Sequence, residues 1–161
     1  MPGVTIVPVA SKAELDRFVR LPVRLGAGGP NYIAPLIMER TEALTPKTNP
    51  FFDHAEVQLF LAVRDGRDVG RISAQIDDLA PDKDAGHFGL LAAENDPVVF
   101  QALFAAAEAW LRQRGKTKVL GPFNLSINEE VGLLVDGYDT KPMVMMGHGP
   151  AYLPVQVEAQ G

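Results

Sequence analysis

The chain has 161 residues, 47% apolar and 22% charged, the length and balance of one globular domain that buries about two thirds of its extended-chain surface. A net charge of -5 and a pI near 5.1 advertise no basic face for nucleic acid or anionic lipid. The absence of cysteine excludes disulfides, a thiolate nucleophile and thiolate metal sites. No run approaches the roughly 18 consecutive apolar residues of a membrane span. The start, MPGVTIVPVASKAELDRF, has no positive charge ahead of its apolar run, unlike a signal peptide. A soluble cytoplasmic protein without nucleic-acid or membrane partners is therefore expected.

VTIVPVA (4–10) reads as a strand, and Ser11-Lys12-Ala13-Glu14 has the form of a capping box opening a helix over 12–20. Pro22, Gly26, Gly28, Gly29, Pro30 and Pro35 then predict a loop before a second helix at 36–44, and Pro46 and Pro50 end regular structure. VQLFLAV (57–63) and VGRISAQI (69–76) flank Asp65-Gly66, a dipeptide that tolerates the positive φ of tight turns, so the pair predicts an antiparallel hairpin. After a polar loop at 77–86, HFGLLAA (87–93) is a third central run. Asn95-Asp96-Pro97 starts a helix, with a polar cap and then proline where its missing N–H does no harm. Val99, Phe100, Leu103, Phe104, Ala107, Trp110 and Leu111 recur at helical spacing through 98–114, and Gly115 is placed to close that helix. KVLGPF is a strand, MVMM (143–146) a weaker one, and 151–160 a final helix containing Pro154. The pattern predicts one α+β domain over 1–161: a mostly antiparallel central sheet with flanking helices.

The order strand, two helices, three strands, long helix, strand is similar to that of the GNAT acyltransferase superfamily. NPFFDHAEVQLFLAVRDGRDVGRISAQID, AAAEAWLRQRG and GPFNLSINEEVGLLVDGYDTKPMVMMGH resemble, more narrowly, the N-terminal portion of uncharacterised bacterial GNAT-like proteins. The resemblance implies that the strand at 87–93 and the strand after the long helix splay apart to admit the pantetheine arm of acyl-CoA, acetyl-CoA among the candidates. The implied reaction is N-acyl transfer to an amine without a metal. Strand amides around Leu90, Leu91 and Ala92 would polarise the thioester carbonyl, and Asn95 would sit where the pyrophosphate binds.

Departures accompany the match. Where GNAT enzymes carry a glycine-rich pyrophosphate loop, this chain has Ala92-Ala93-Glu94-Asn95-Asp96-Pro97, with no glycine and two acids. Counting back from Gly161, the acid tyrosine of many members falls on Val157, and Tyr152 lies earlier. The two last strands of the GNAT fold have no counterpart, so the expectation is a truncated member or one completed by another chain, for example a homodimer pairing along an exposed strand edge. Two functions follow: a CoA-dependent N-acyltransferase, or a non-catalytic binding or assembly domain of the same fold.

The densest polar cluster lies in GPFNLSINEEVGLLVDG (121–137). In one reading Asn124, Ser126 and Asn128 contact a small-molecule substrate and Glu129 or Glu130 is the general base. In the other, Asn124 or Ser126 caps a short helix whose first turn holds the two glutamates. Glu129 to Leu133 also echoes the end of a metal-dependent Nudix box, but Leu125-Ser126 replaces the Arg-Glu pair such a box needs. Among His54, His87 and His148, the last, between two glycines beside the cluster, is the acid-base candidate, while a structural hydrogen bond suits His87. Met143, Met145 and Met146 read as core filling or a pliable pocket wall. Arg71 reads as part of a solvated strand face or as a group reaching a ligand, and Gly26, Gly28 and Gly29 form no phosphate loop.

Overall fold

The computed structural model describes residues 3–26 and 29–161, so Gly28 lies outside the described residues. The elements in chain order are β1 (Thr5–Pro8), α1 (Lys12–Leu25), α2 (Ile37–Ala43), β2 (Ala55–Arg64), β3 (Arg67–Asp77), β4 (Ala85–Ala93), α3 (Pro97–Gln113), β5 (Lys118–Leu120) and α4 (Tyr152–Glu158). Short 3-10 turns occupy Gly29–Asn31 and Pro50–Asp53. The described strands form one sheet in the order β1-β2-β3-β4-β5, antiparallel except for the parallel β4–β5 pair. The α+β expectation holds, with the sheet mostly antiparallel and helices on both faces.

Local chemistry explains the elements. Asp65 and Gly66 have φ of 52° and 73° and join β2 to β3 as a two-residue turn whose twist suits the strands. Ser11 and Glu14 complete the capping box at the start of α1, and Asp96 caps α3 ahead of Pro97. Alternation along the strands then divides two cores. Phe60, Ala62, Ile72, Ala74 and Phe88 pack with Val99, Phe100, Leu103 and Leu111 of α3, each buried large side chain contributing roughly 1.5–3 kcal/mol. On the other face Leu59, Leu61 and Leu90 pack with Phe18, Val19 and Leu21 of α1 and with Leu44, Phe51 and Leu125.

Two local expectations are corrected, at α1 and at the methionines, and one left open, at Arg71, is decided. Helix α1 does not end near residue 20 but runs through Pro22 to Leu25. Proline has no N–H to give the carbonyl of Phe18, and the guanidinium of Arg71 supplies the donor instead, its Nη1 lying 2.7 Å from that oxygen. Arg71 is accordingly no solvated strand residue: it is 8% exposed and lies over the Phe18 ring. The methionines at 143, 145 and 146 form no strand and fill no core, since all three are exposed.

Arg71, Ser73 and Gln75 make a buried polar row on the α1 face of β3. The chain after β5 satisfies it. Gln75 donates from Nε2 to the carbonyls of Phe123 and Leu125 at 2.7 and 3.2 Å, and accepts from Ser73 Oγ at 2.9 Å. The returning segment lies flat across β4 because Gly89 has no side chain there: a Cβ would stand 1.7 Å from the Phe123 oxygen. Gly89→Ala is therefore expected to push this segment off β4 and to lower stability by about 2 kcal/mol, the scale of overpacking. A urea midpoint equal to that of the parent chain would contradict the close approach.

Candidate functional site

Strands β4 and β5 pair only through Ala85 with Lys118, Gly86 with Val119 and His87 with Leu120, and then part. Beyond that point β4 carries a bulge. Its register with β3 slips so that Leu90 and Leu91 together stand opposite Ile72, and Leu90 adopts a φ of 48°, a strained value for a leucine.

Asn124 closes the parting. Its Oδ1 accepts the Leu90 N–H at 2.8 Å while its Nδ2 donates to Glu130 Oε2, also at 2.8 Å. The Asn124 backbone N–H donates to the Glu130 carbonyl, Gly132 N–H donates to that of Pro122, and Phe123 bridges Val131. The segment is thus a pinned turn and not a capped helix. Ser126 Oγ does accept a backbone bond, from Asn128 at 3.0 Å, but within that turn.

A cavity of about 170 Å³ opens here, bounded by Leu90, Leu91, Ala92 and Ala93 of β4, by Pro22, Tyr32, Arg40 and Arg71 on the α1 side, and by Asn124, Glu130, His148 and Tyr152. Its apolar wall includes Ile33, Pro35, Leu133, Leu134 and Met146. The charged lining is two arginines and one glutamate. Arg40 lies 3.7 Å from Glu130. Burial pulls Arg71 down from its ordinary value to about 9, with Tyr32 and Glu130 opposing and Arg40 adding to the fall, so the guanidinium stays cationic at neutral pH. Burial likewise raises the Tyr32 phenol, against Arg71 and Arg40, and keeps it protonated. His148 meets the edge of the Tyr138 ring, and both its ring nitrogens are buried without a partner.

Of the residues singled out from sequence, Leu90, Leu91, Ala92, Asn124, Glu130 and His148 line the cavity. Ser126, Asn128, Glu129 and Asn95 do not. Asn128 and Glu129 are exposed on the turn, and Asn95 Oδ1 accepts from Gln156 of α4. Both acids at the start of α3 are neutralised: Asp96 pairs with Arg64 at 2.7 Å and Glu94 with Arg67 at 2.9 Å. Tyr152 donates its hydroxyl to the Ala93 carbonyl at 2.6 Å. The sequence reading missed Tyr32 and Arg40 and left Arg71 undecided. The available signal was Pro22, whose presence in a helix frees a carbonyl that needs an outside donor. Among the described residues no group of three His, Asp or Glu side chains could hold a metal ion, and no helix is long and apolar enough to cross a membrane.

No family model matches the chain. It is 67% identical over 162 residues to the bacterial ceramide synthase of Caulobacter vibrioides, covering 98% of this chain and 42% of that protein. It is 47% identical over 154 residues to the protein YghO of Escherichia coli, covering 94% of this chain and 39% of that one. The chain thus spans about two fifths of the length of the curated relatives it matches. Among solved structures it is similar to a tandem GNAT protein from the clavulanic acid biosynthesis pathway, with TM-score 0.56 and 19% identity over 72% of this chain and 35% of that one. An aminoglycoside acetyltransferase from an uncultured soil metagenomic sample matches with TM-score 0.52 and 13% identity over 75% of this chain and 78% of that one. A predicted acetyltransferase with acetyl-CoA from Clostridium acetobutylicum gives 0.51 and 12% over 73% and 79%. At these identities the likeness is one of fold. The chain has a GNAT-like fold.

His87 is buried at the foot of the cleft, its ring stacked on Phe123 with centroids 4.7 Å apart. Burial holds its imidazole below the ordinary 6.5, against the pull of Asp77 and Asp82. The unfolded chain therefore binds this proton more readily than the folded one, so the stability His87 contributes is complete above its unfolded value and is lost as pH falls toward the folded one. His87→Phe should narrow the stability gap between about pH 7.5 and about pH 5 in urea titrations. An unchanged gap would contradict the assignment.

Proposed function

We propose that this chain carries the acyl-transfer cleft of an N-acyltransferase, moving an acyl group from acyl-CoA to the amine of an amphipathic acceptor. The name ceramide synthase, borne by the Caulobacter relative, suggests the acceptor class, since a ceramide is a long-chain amino alcohol acylated on nitrogen. The observation that carries the reading is the cavity beside the β4 bulge, where a carboxylate and an imidazole with no partner face a largely apolar wall.

In this reading Glu130 orients the amine and His148 takes its proton, because Glu130 is already engaged by Arg40 and Asn124 while His148 is free to accept. The amine nitrogen attacks the thioester carbonyl, the C–N bond forms, the C–S bond breaks, and the departing thiolate receives the proton. Backbone around Leu90, Leu91 and Ala92 lines the donor, and Asn124 holds the floor of the acceptor side. The donor's phosphates would lie toward the start of α3 near Asn95, where Arg64 and Arg67 cancel the two acids. Glu129, Ser126 and Asn128 enter no step. The rival is a non-catalytic binding domain of the same fold, favoured by one observation: Asn124 already occupies the Leu90 amide that a thioester oxygen would use.

Calorimetric titration with acetyl-CoA and with a long-chain acyl-CoA separates the two. The acyltransferase reading expects micromolar binding that Ala92→Trp abolishes by filling the cleft, with the longer donor binding more tightly as its chain buries apolar surface. No heat and no thermal shift at millimolar ligand would favour the binding-domain reading.

A further inference from the structure

Arg71 is over-built for a residue that only repairs a helix. One nitrogen, Nη1, completes the Phe18 carbonyl, and the guanidinium carbon sits 4.7 Å from the Phe18 ring centroid. Its Nε is buried without a partner, and the side chain is more than nine-tenths buried while bounding the cavity. No carboxylate forms an ion pair with it among the described residues. The nearby carboxylate, Glu130, is already shared between Arg40 and Asn124. The cavity therefore holds two cations against one anion, with the Tyr32 phenol as a further donor. A buried cation lacking a counter-charge is costly unless something negative arrives to meet it. A guanidinium still holding free N–H groups, with its plane fixed by the Phe18 ring, matches a two-oxygen head group better than a point charge does.

Pro22, Ile33, Leu91, Leu133, Leu134 and Met146 add apolar lining to the same cavity, beside the polar Asn124, His148 and Tyr152. Ile33 and Met146 are themselves more than half exposed, which places an apolar rim at the mouth. Cationic and apolar groups thus line one cavity, the combination that an amphipathic anion calls for.

We propose that Arg71, with Tyr32 and Arg40, forms an oxyanion-binding subsite, so that the cavity binds free long-chain carboxylates by the head group. The proposal rests on the acyl-transfer reading only for the choice of a fatty-acid tail. Its physical basis, an uncompensated buried cation bounding a partly apolar cavity, is independent of it.

The test is calorimetry on the full chain with three probes: dodecanoate, dodecanol and inorganic phosphate. Dodecanoate should bind and dodecanol should bind at least about tenfold more weakly, the difference being the charge-assisted head-group contact. Phosphate in large excess should displace dodecanoate by competing for the head-group site, and phosphate that binds without displacing any dodecanoate would overturn the proposal. Arg71→Leu should lose at least about tenfold in dodecanoate affinity with dodecanol unchanged. Because that change also strips the Phe18 carbonyl of its donor, Arg71→Lys and Arg40→Ala serve as gentler variants: Lys keeps the charge and loses the fork, so binding should fall between parent and Leu, and Arg40→Ala should weaken dodecanoate while leaving dodecanol unchanged. Equal binding of dodecanoate and dodecanol, no binding of dodecanoate, or affinities indifferent to Arg71 in folded variants would overturn the proposal. Acyl-CoA titration of the same proteins keeps the two ideas apart. Arg71-dependent dodecanoate binding without acyl-CoA binding leaves the subsite and removes the acyl-transfer reading, whereas acyl-CoA binding with Arg71-indifferent dodecanoate removes the subsite alone.

Discussion

The hydrogen bonds from Gln75 to the carbonyls of Phe123 and Leu125 are the constraint on which the site depends. A primary amide at 0% exposure in the middle of a sheet costs a few kcal/mol if its N–H groups stay unmet. The chain after β5 meets them, and so must return over β4 instead of continuing along its edge. Ser73 completes the amide's acceptor side, and the row ends at Arg71, whose own demand is met by the helix carbonyl that Pro22 leaves free. One polar row on one strand thereby ties together α1, the central strands and the turn at 121–132.

The cavity is what this arrangement leaves over. With the returning chain held flat on Gly89 and pinned to Leu90 by Asn124, β4 and β5 separate beyond His87 and Leu120, and the space beside the bulge fills from neither side. The groups that face it come from distant parts of the chain: Tyr32 and Arg40 from the helical crossing, Arg71 from β3, Glu130 from the turn, His148 from the segment before α4. Each is held by structure formed for another reason. A site assembled in this way gains its orientation from the packing of the fold. Its charge balance, two cations against one carboxylate, follows from the same assembly.

The hairpin, the long helix and the order of elements along the chain were legible in the sequence because each rests on local patterns: Asp65-Gly66 at the turn, apolar residues at helical spacing through α3, and a polar cap followed by proline at its start. Asn124 and Glu130 were also recognisable, since they crowd within one short polar stretch that no apolar periodicity explains, and His148 because it stands between two glycines further along the same segment. The arginine was not. In VGRISAQI the alternation of Arg71, Ser73 and Gln75 with Ile72, Ala74 and Ile76 is the usual signature of a strand with one wet face, and it takes both α1 over Arg71 and the returning chain over Gln75, each distant in sequence, to make that face dry. The same long-range cause hid the true end of α1, because proline stops a helix only where nothing else can serve the orphaned carbonyl. MVMM looked like a strand by composition alone, yet it pairs with no strand of the described sheet.

Amide hydrogen exchange on a Gln75→Leu variant tests the dependence of the site on the buried row most directly. Leucine removes both donors while keeping an apolar side chain of comparable size. The account predicts that the Phe123 N–H, which donates to Phe88, and the Leu90 N–H, which donates to Asn124, lose protection by about tenfold or more while the α3 amides keep theirs. Unchanged protection at Phe123 and Leu90 in a folded variant would contradict it, and would mean that the returning chain is held by something other than the polar row on β3.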